Sequence, residues 1–286
     1  MKKTSYYIAR NIAILLLTIT LNSYSQEPVY HTFNTTRVGN GHSTETLWKK
    51  ELDLFFGHKF GDYTNGLKNT FYTTDVSFGF DYGLTNNLLG GLSIAKGAGP
   101  YRDLINGYLK YKVKQQQKDG FPFNISVLGN TSYSTMDAST DSTSPVSFKK
   151  WEHRLAYTFQ VLVSKKVNER FSIQLSPTLS HRNYVAYNDE NSLFSLGFAG
   201  RYQLTKVLGI TMEYYLNFPH NRQFLSQTYY DPFTLGIEFN TGGHVFRILL
   251  SNAAGFNESQ FIPYTNSTWK NGGFRLGFAF GRLFKM

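Results

Sequence analysis

No cysteine occurs in the 286 residues. That excludes a lipid-modified cysteine anchor, a disulfide-stapled secreted domain and zinc sites built on thiolates. Beyond residue 25 no stretch is apolar enough to cross a bilayer as a helix, which needs roughly 20 apolar residues. No Lys/Arg block reads as a nucleic-acid arm, and no recognition motif accompanies the basic charge, so nucleic acid is excluded as a partner. Gly97-Ala98-Gly99-Pro100 lacks the following Lys and helix of a phosphate loop. No nucleophile-elbow glycine pattern surrounds any Ser, and none stands out beside His153, His181 or His244, so an enzyme is not expected. No cofactor is implied.

The first residues read as an export address. Lys2, Lys3 and Arg10 form a positive region, residues 11–21 an apolar run, and Ser23-Tyr24-Ser25 a small-residue cleavage site. The run is too short for a membrane anchor. Residues 1–25 are therefore expected to be a signal peptide, with Gln26 as the mature start. The net charge of +10 loses three signal-peptide cations to become +7, a balance suited to lumen residues and anionic headgroups.

Aromatic residues make up 17% of the chain, with 25 Phe and 20 Tyr. The mean hydropathy of −0.32 would suit a soluble protein. It equally suits a transmembrane barrel, in which lipid-facing and lumen-facing side chains alternate and cancel. Alternation with period two dominates the chain. Leu52, Leu54, Phe56 and His58 oppose Asp53, Phe55, Gly57 and Lys59. Val76, Phe78, Phe80 and Tyr82 oppose Asp75, Ser77, Gly79 and Asp81. The same pattern recurs over 105–113, 151–165, 169–183, 193–204, 206–217, 233–240, 244–252 and 274–281, and more weakly over 88–96 and 122–133, about twelve strands in all. Connections are alternately short (85–87, 165–170, 205–206, 240–243) and long (61–68, 134–150, 183–191, 218–231, 253–271). Tight periplasmic turns and long outer loops give this rhythm, whereas a sandwich with Greek-key crossings has no cause to. Trp48 falls at an expected periplasmic strand end and Trp151 and Trp269 at outer ends, as interface belts require. The fold class expected is an all-β, closed, antiparallel, up-and-down transmembrane barrel, with residues 26–47 a periplasmic or plug segment and 48–286 the barrel.

The inward face carries both signs of charge: Asp53, Asp75, Asp81, Glu152, Glu213 and Glu238, with Lys59, Lys110, Lys112, Arg154, Arg182, Arg201, Arg247 and Arg275. Isolated charges in a dry lumen would cost several kcal/mol each, so they must pair or line water. An ion-pair lattice bracing the barrel and a selectivity lining both fit. A hairpin turning at Val167 would pair Leu155 with Leu179, Phe159 with Leu175 and Glu152 with Arg182, and would set His153 opposite His181. Two histidines across a strand pair could hold a metal, but no third ligand stands beside them, and no metal is expected. Between 32 and 46 no period is visible; Arg37, His42 and Glu45 there could be satisfied by lumen charges if the segment packs inward as a plug.

Several segments resemble one outer-membrane β-barrel family of unknown function. They are Thr32-Phe33 with Thr36-Arg37-Val38, Asn40-Gly41-His42-Ser43 and Glu45-Thr46-Leu47; Phe78 to Leu84; Phe171 to Asn183; and Thr241 to Phe246. Gly39 departs from the family pattern, in which a bulky aliphatic is expected there. The resemblance implies location and architecture and supplies no catalytic residues. The final strand, Gly273 to Phe284, resembles the C-terminal recognition strand of outer-membrane proteins, which implies engagement by the barrel-assembly machinery; outer-membrane lipid is the other expected partner. The functional expectation is a narrow channel for small solutes. A surface-interaction barrel working through loops 218–231 and 253–271 and a lipid-modifying enzyme are the alternatives.

Overall fold

The structure, a computed structural model, describes residues 27–72, 74–97, 101–220, 222 and 227–286. The expected signal peptide lies outside these residues. Twelve antiparallel strands follow in chain order: β1 (Glu51–Lys59), β2 (Asp75–Gly83), β3 (Leu88–Lys96), β4 (Leu104–Lys114), β5 (Asn124–Ser134), β6 (Leu155–Lys166), β7 (Phe171–Arg182), β8 (Ser192–Gln203), β9 (Leu208–Phe218), β10 (Phe233–Asn240), β11 (His244–Ser251) and β12 (Arg275–Lys285). Each pairs with its chain neighbours, and β12 returns to pair with β1, so the sheet has no free edge. Closure satisfies every strand's backbone within the barrel, the condition for crossing lipid. Among the described residues no helix is long and apolar enough to cross a membrane.

Alternation sorts the side chains. Ile94 is 57% exposed on the outer face, while Lys59 and Lys110 are 0% exposed inside. The core of this protein is thus a polar lumen and its apolar surface faces outward, the reverse of a soluble barrel. Phe284, opposite Leu52 across the seam, belongs to the outward set, and Met286 N–H still donates to the Lys50 carbonyl.

The β6–β7 hairpin corrects the expected register. Residues summing to 338 are opposite, with Phe159 beside Leu179 and Val163 beside Leu175. The turn centres two residues later than Val167 because the Asn168 side chain accepts from the backbone N–H groups of Arg170 and Phe171, both at 2.9 Å. Such an Asx turn fixes the loop. The displacement is even, so every side chain keeps its face and alternation alone could not reveal it.

Two inserts fill the lumen. From the periplasmic end, residues 32–47 run inside the barrel before β1, with Thr32, Phe33, Thr36, Val38, Asn40, His42, Ser43 and Thr44 buried. From the outer end, the β11–β12 loop folds inward and carries helix α2 (Glu258–Tyr264), all seven residues of it buried. Helix α1 (Gly66–Tyr72) lies in the β1–β2 loop.

Candidate functional site

The plug tip is a tight turn. Arg37 and His42 form a β-bridge, the Val38 N–H donates to the Gly41 carbonyl (3.0 Å) and the Ser43 N–H to the Thr36 carbonyl (2.9 Å). The wall grips this turn with charged side chains. The Glu213 carboxylate of β9 accepts from the backbone N–H groups of Asn40 (2.7 Å) and Gly41 (2.8 Å). Lys110 of β4 donates to the carbonyls of Thr36 and Ser43, both at 3.0 Å. Arg247 of β11 donates to the carbonyls of Arg37 (3.1 Å) and Val38 (3.2 Å) and to the Thr35 hydroxyl (2.8 Å). Gln174 of β7 completes the set, donating to the His42 carbonyl and accepting from the Thr44 N–H. Charge-assisted bonds of this kind are among the stronger ones available to a protein.

Gly39 explains its own departure from the family pattern. A Cβ there would stand 2.6 Å from a Glu213 carboxylate oxygen, and one at Gly41 would stand 2.4 Å from the other. The backbone must come this close for the wall carboxylate to reach its N–H groups.

The plug's own charges divide. Arg37 pairs with Asp81 of β2 (3.1 Å), donates to Tyr108 of β4, and stacks over Phe55 at 3.8 Å. Glu45 accepts from the backbone N–H groups of Thr32 and Phe33, so it braces the plug itself and not a lumen cation. His42 packs edge-on against Tyr108 and sets its Nε2 3.9 Å from Glu258 Oε1 of α2. Burial, then the Arg37 and Lys110 charges, hold the His42 imidazole well below its ordinary value. Burial likewise pushes Glu258 up to about 7. Both directions disfavour an ion pair, so the contact is one between two groups driven toward neutrality. There the plug from below meets the helix from above, around a small chamber of about 40 Å³.

The outer insert is held differently. Lys59 of β1 donates to the carbonyls of Ala253 (3.2 Å) and Gly255 (2.6 Å) with Phe256 over its ammonium. Beyond that, Ala253, Phe261 and Ile262 form an apolar cluster with Leu193 and Tyr215, and Tyr264 joins another with Tyr101 and Phe148. Near the outer mouth Asp189 accepts from Arg222 (2.7 Å) and from Arg182 (3.1 Å). Burial raises the Asp189 carboxyl but these two guanidinium groups outweigh it and hold it below its ordinary value.

Of the other inward charges, Arg201 pairs with Glu238 (2.9 Å), and Glu238 also accepts from Asn34 of the plug. Asp53 lines a vestibule of about 350 Å³ at the periplasmic end. Asp75 is buried opposite Lys59, and Arg275 is buried opposite Ser251. Three expectations need correction. Glu152 is exposed in a 3-10 turn (Trp151–Arg154) before β6, where its carbonyl accepts from the Leu155 N–H and from Asn183; Arg182 pairs with Asp189 instead. Arg154 shares that turn, half-buried at the outer rim, and donates to the carbonyls of Ser134 and Met136. Lys112 is half-exposed at the periplasmic end of β4, where the register with β5 shifts between Lys112 and Lys114. The two histidines also part: His153 stacks on Tyr184, whereas His181 lies opposite Tyr157 and bonds Ser192. Sequence reasoning missed Glu258 and the whole inward helix. Its mark was Asn257-Glu258-Ser259-Gln260, a capping box that the structure forms in full.

The profile of a membrane-bound beta barrel domain family, DUF5777, matches residues 33–284. No curated protein matches the chain. Among solved structures, the NanC porin superposes with a TM-score of 0.50 at 10% identity, covering 82% of this chain and all of that one. The KdgM porin gives 0.49 at 8% identity over 81% of this chain and 98% of its own. An outer-membrane channel from Pseudomonas putida F1 gives 0.45 at 13% identity over 84% and 97%. Identities this low speak for the fold alone. With its closed twelve-strand architecture and a family match over nearly all the described residues, this chain belongs to the DUF5777 family of membrane-bound beta barrel domains, built on the fold of outer-membrane porins.

Proposed function

We propose that the protein is a gated narrow channel for small hydrophilic solutes, in which residues 32–46 are the gate and the inward β11–β12 loop is a fixed constriction. It works by passage and not by catalysis. The observation that carries this reading is the contrast in how the inserts are held. The plug is tied to the wall chiefly by hydrogen bonds, most of them to charged groups and worth about 1.5–3 kcal/mol each against water. Helix α2 adds clustered apolar side chains, whose exposure costs roughly 25 cal/mol per Å². Water entering the lumen can replace the first kind of contact and not the second.

Release of the plug would open the periplasmic part of the β1–β12 seam, where the inward wall is Phe55, Ala279 and Gly281, as far as Phe256 of the outer insert, which stands against Gly57. Arg247, Asp53 and Lys59 border it, so selectivity would be set by mixed charge and width. The test is ion conductance in planar bilayers for the mature chain and for a variant lacking residues 32–46. Larger and steadier currents from the deletion variant are expected. A folded deletion variant as silent as the intact chain would overturn the channel reading.

A further inference from the structure

The positive excess of the mature chain does not lie in the lumen, where cations and carboxylates nearly cancel. Nor does it lie over the outer loops, where Lys149, Lys150, Arg154 and Arg222 are offset by Asp137, Asp141, Asp189 and Glu190. It lies at the periplasmic end. Lys112, Lys114 and Lys118 crowd the β4–β5 turn, and Lys165, Lys166 and Arg170 the β6–β7 turn. Lys49, Lys50, Lys206, Arg282 and Lys285 stand at the same level, against Glu27, Glu51, Asp119 and Glu169. Basic residues there outnumber acidic ones by more than two to one. Anchoring to headgroups would spread cations round the circumference, yet the β2–β3 and β10–β11 turns (84–87 and 241–243) carry no charge.

The two crowded turns are joined, and the plug's root lies across them. Gln116 Nε2 donates to the Lys166 carbonyl (3.0 Å) and the Lys166 N–H to Gln116 Oε1 (2.8 Å). The Val29 N–H donates to the Gln116 carbonyl (2.8 Å) and the Lys118 N–H to the Glu27 carbonyl (3.0 Å). Two ammonium groups converge on the residues that follow. Lys166 donates to the carbonyls of Tyr30 (3.4 Å) and His31 (3.3 Å), and Lys112 lines a rim cavity of about 90 Å³ with the same two residues. Glu45 and Glu51 line that cavity too, but backbone N–H groups engage both: Thr32 and Phe33 the first, Trp48 the second. The Lys166 contacts are long and reach neutral oxygens; a carboxylate or phosphate adds a charge attraction that a carbonyl lacks. Low-dielectric walls focus the field of such a mouth and raise the local concentration of counter-ions.

We infer that the periplasmic mouth at the plug's root is a binding site for small multivalent anions, solutes that carry carboxylate or phosphate groups, held by Lys112 and Lys166. On the channel reading above these are the solutes admitted; the binding itself stands apart from conduction. The absence of cysteine supplies the test. Asn86→Cys places one thiol on the rim cavity and Ser142→Cys one on an exposed outer loop. Each mature chain, in neutral detergent, is reacted with an anionic (sulfonatoethyl) and a cationic (trimethylammonioethyl) methanethiosulfonate. The ratio of the two rates cancels the thiol's own reactivity. It should favour the anion roughly tenfold more at Asn86→Cys than at Ser142→Cys, and pyrophosphate should slow the anionic reagent at the first alone. Lys112→Gln with Lys166→Gln should remove most of the preference and the pyrophosphate effect. Lys112→Gln alone, with partial loss, serves if the pair fails to fold by heat-dependent gel mobility. Equal ratios at the two thiols, or a preference and a pyrophosphate effect that survive in the folded lysine variants, overturn the proposal. So does their loss on transfer to bilayers containing phosphatidylglycerol, since the lysines would then belong to headgroups. Silence of the plug deletion in planar bilayers refutes the channel without touching these rates, so the two failures are distinct.

Discussion

Replacing Glu213 with Gln probes the gate at its tightest hold. The carboxylate takes two backbone N–H groups, at 2.7 and 2.8 Å. Gln offers one acceptor oxygen, and its amide NH₂ faces the second N–H donor to donor. One hydrogen bond to a charged group is therefore lost, worth about 1.5–3 kcal/mol, with a buried N–H left unpaired. At roughly 1.4 kcal/mol per decade, the plug-free population should rise about tenfold to a hundredfold. Two assays read this: open probability in single-channel records, and trypsin cleavage after Arg37, a bond sealed inside the closed lumen. Both should rise together in Glu213→Gln. Gly39→Ala should act in the same direction, because its Cβ would crowd the same carboxylate at 2.6 Å. Glu152→Gln, altered at an exposed residue, should change neither. If folded Glu213→Gln matches the wild type in open probability and in cleavage, the plug is not held as described and the gate argument fails.

Lys110→Met removes the donor to Thr36 and Ser43 while keeping the length of the side chain; cleavage after Arg37 should again accelerate by at least tenfold, and an unchanged rate would count against the gate. Glu258 sets a pH dependence, with burial holding its carboxyl at about 7 against an ordinary 4.5. A carboxyl raised on docking favours the docked state at low pH, and that stabilisation is lost as pH rises through about 7; His42, kept neutral when docked, offsets it on the acid side below its ordinary 6.5. Current through the wild type should therefore increase between pH 6 and about 7, whereas in Glu258→Gln, with only the His42 contribution left, it should not rise over that range; the same rise in the variant would remove Glu258 from the account. Asp189→Asn strips the carboxylate that holds Arg182 and Arg222 together, so hydrogen exchange in residues 183–191 should quicken while Arg37 stays protected, and simultaneous exposure of Arg37 would show that the two ends of the lumen are not independent.

Fold and faces were legible because period-two alternation is written residue by residue. Leu52, Leu54 and Phe56 against Asp53 and Lys59 leave one way to orient β1 in lipid. Register was not legible where the deciding group was a loop side chain: Asn168 moved the β6–β7 pairing by an even step that preserves every face. That step is why Glu152 lost Arg182, and why Asp189, a loop residue without periodicity, took it. The site was half legible. Its wall charges followed from inward alternation, but what they bind is largely backbone carbonyl and N–H of the plug, groups identical at every position in a sequence. Helix α2 announced itself through its capping box, yet seven residues are too few for helical periodicity to stand out from loop.

The filling of the barrel constrains how it can be made. Residues 27–50 lead directly into β1, and β1 closes the cylinder only by pairing with β12, the last strand of the chain. A segment that enters from the periplasmic end and is gripped by wall groups from β2 to β11 finds its full set of partners only once that seam zips, because those groups come from opposite sides of the closed cylinder. Lys59, whose ammonium reaches the final loop, likewise finds its carbonyls only at the end. Chains stalled before the seam forms would carry their lumen cations uncovered, which gives closure a chemical reason to be the committing event.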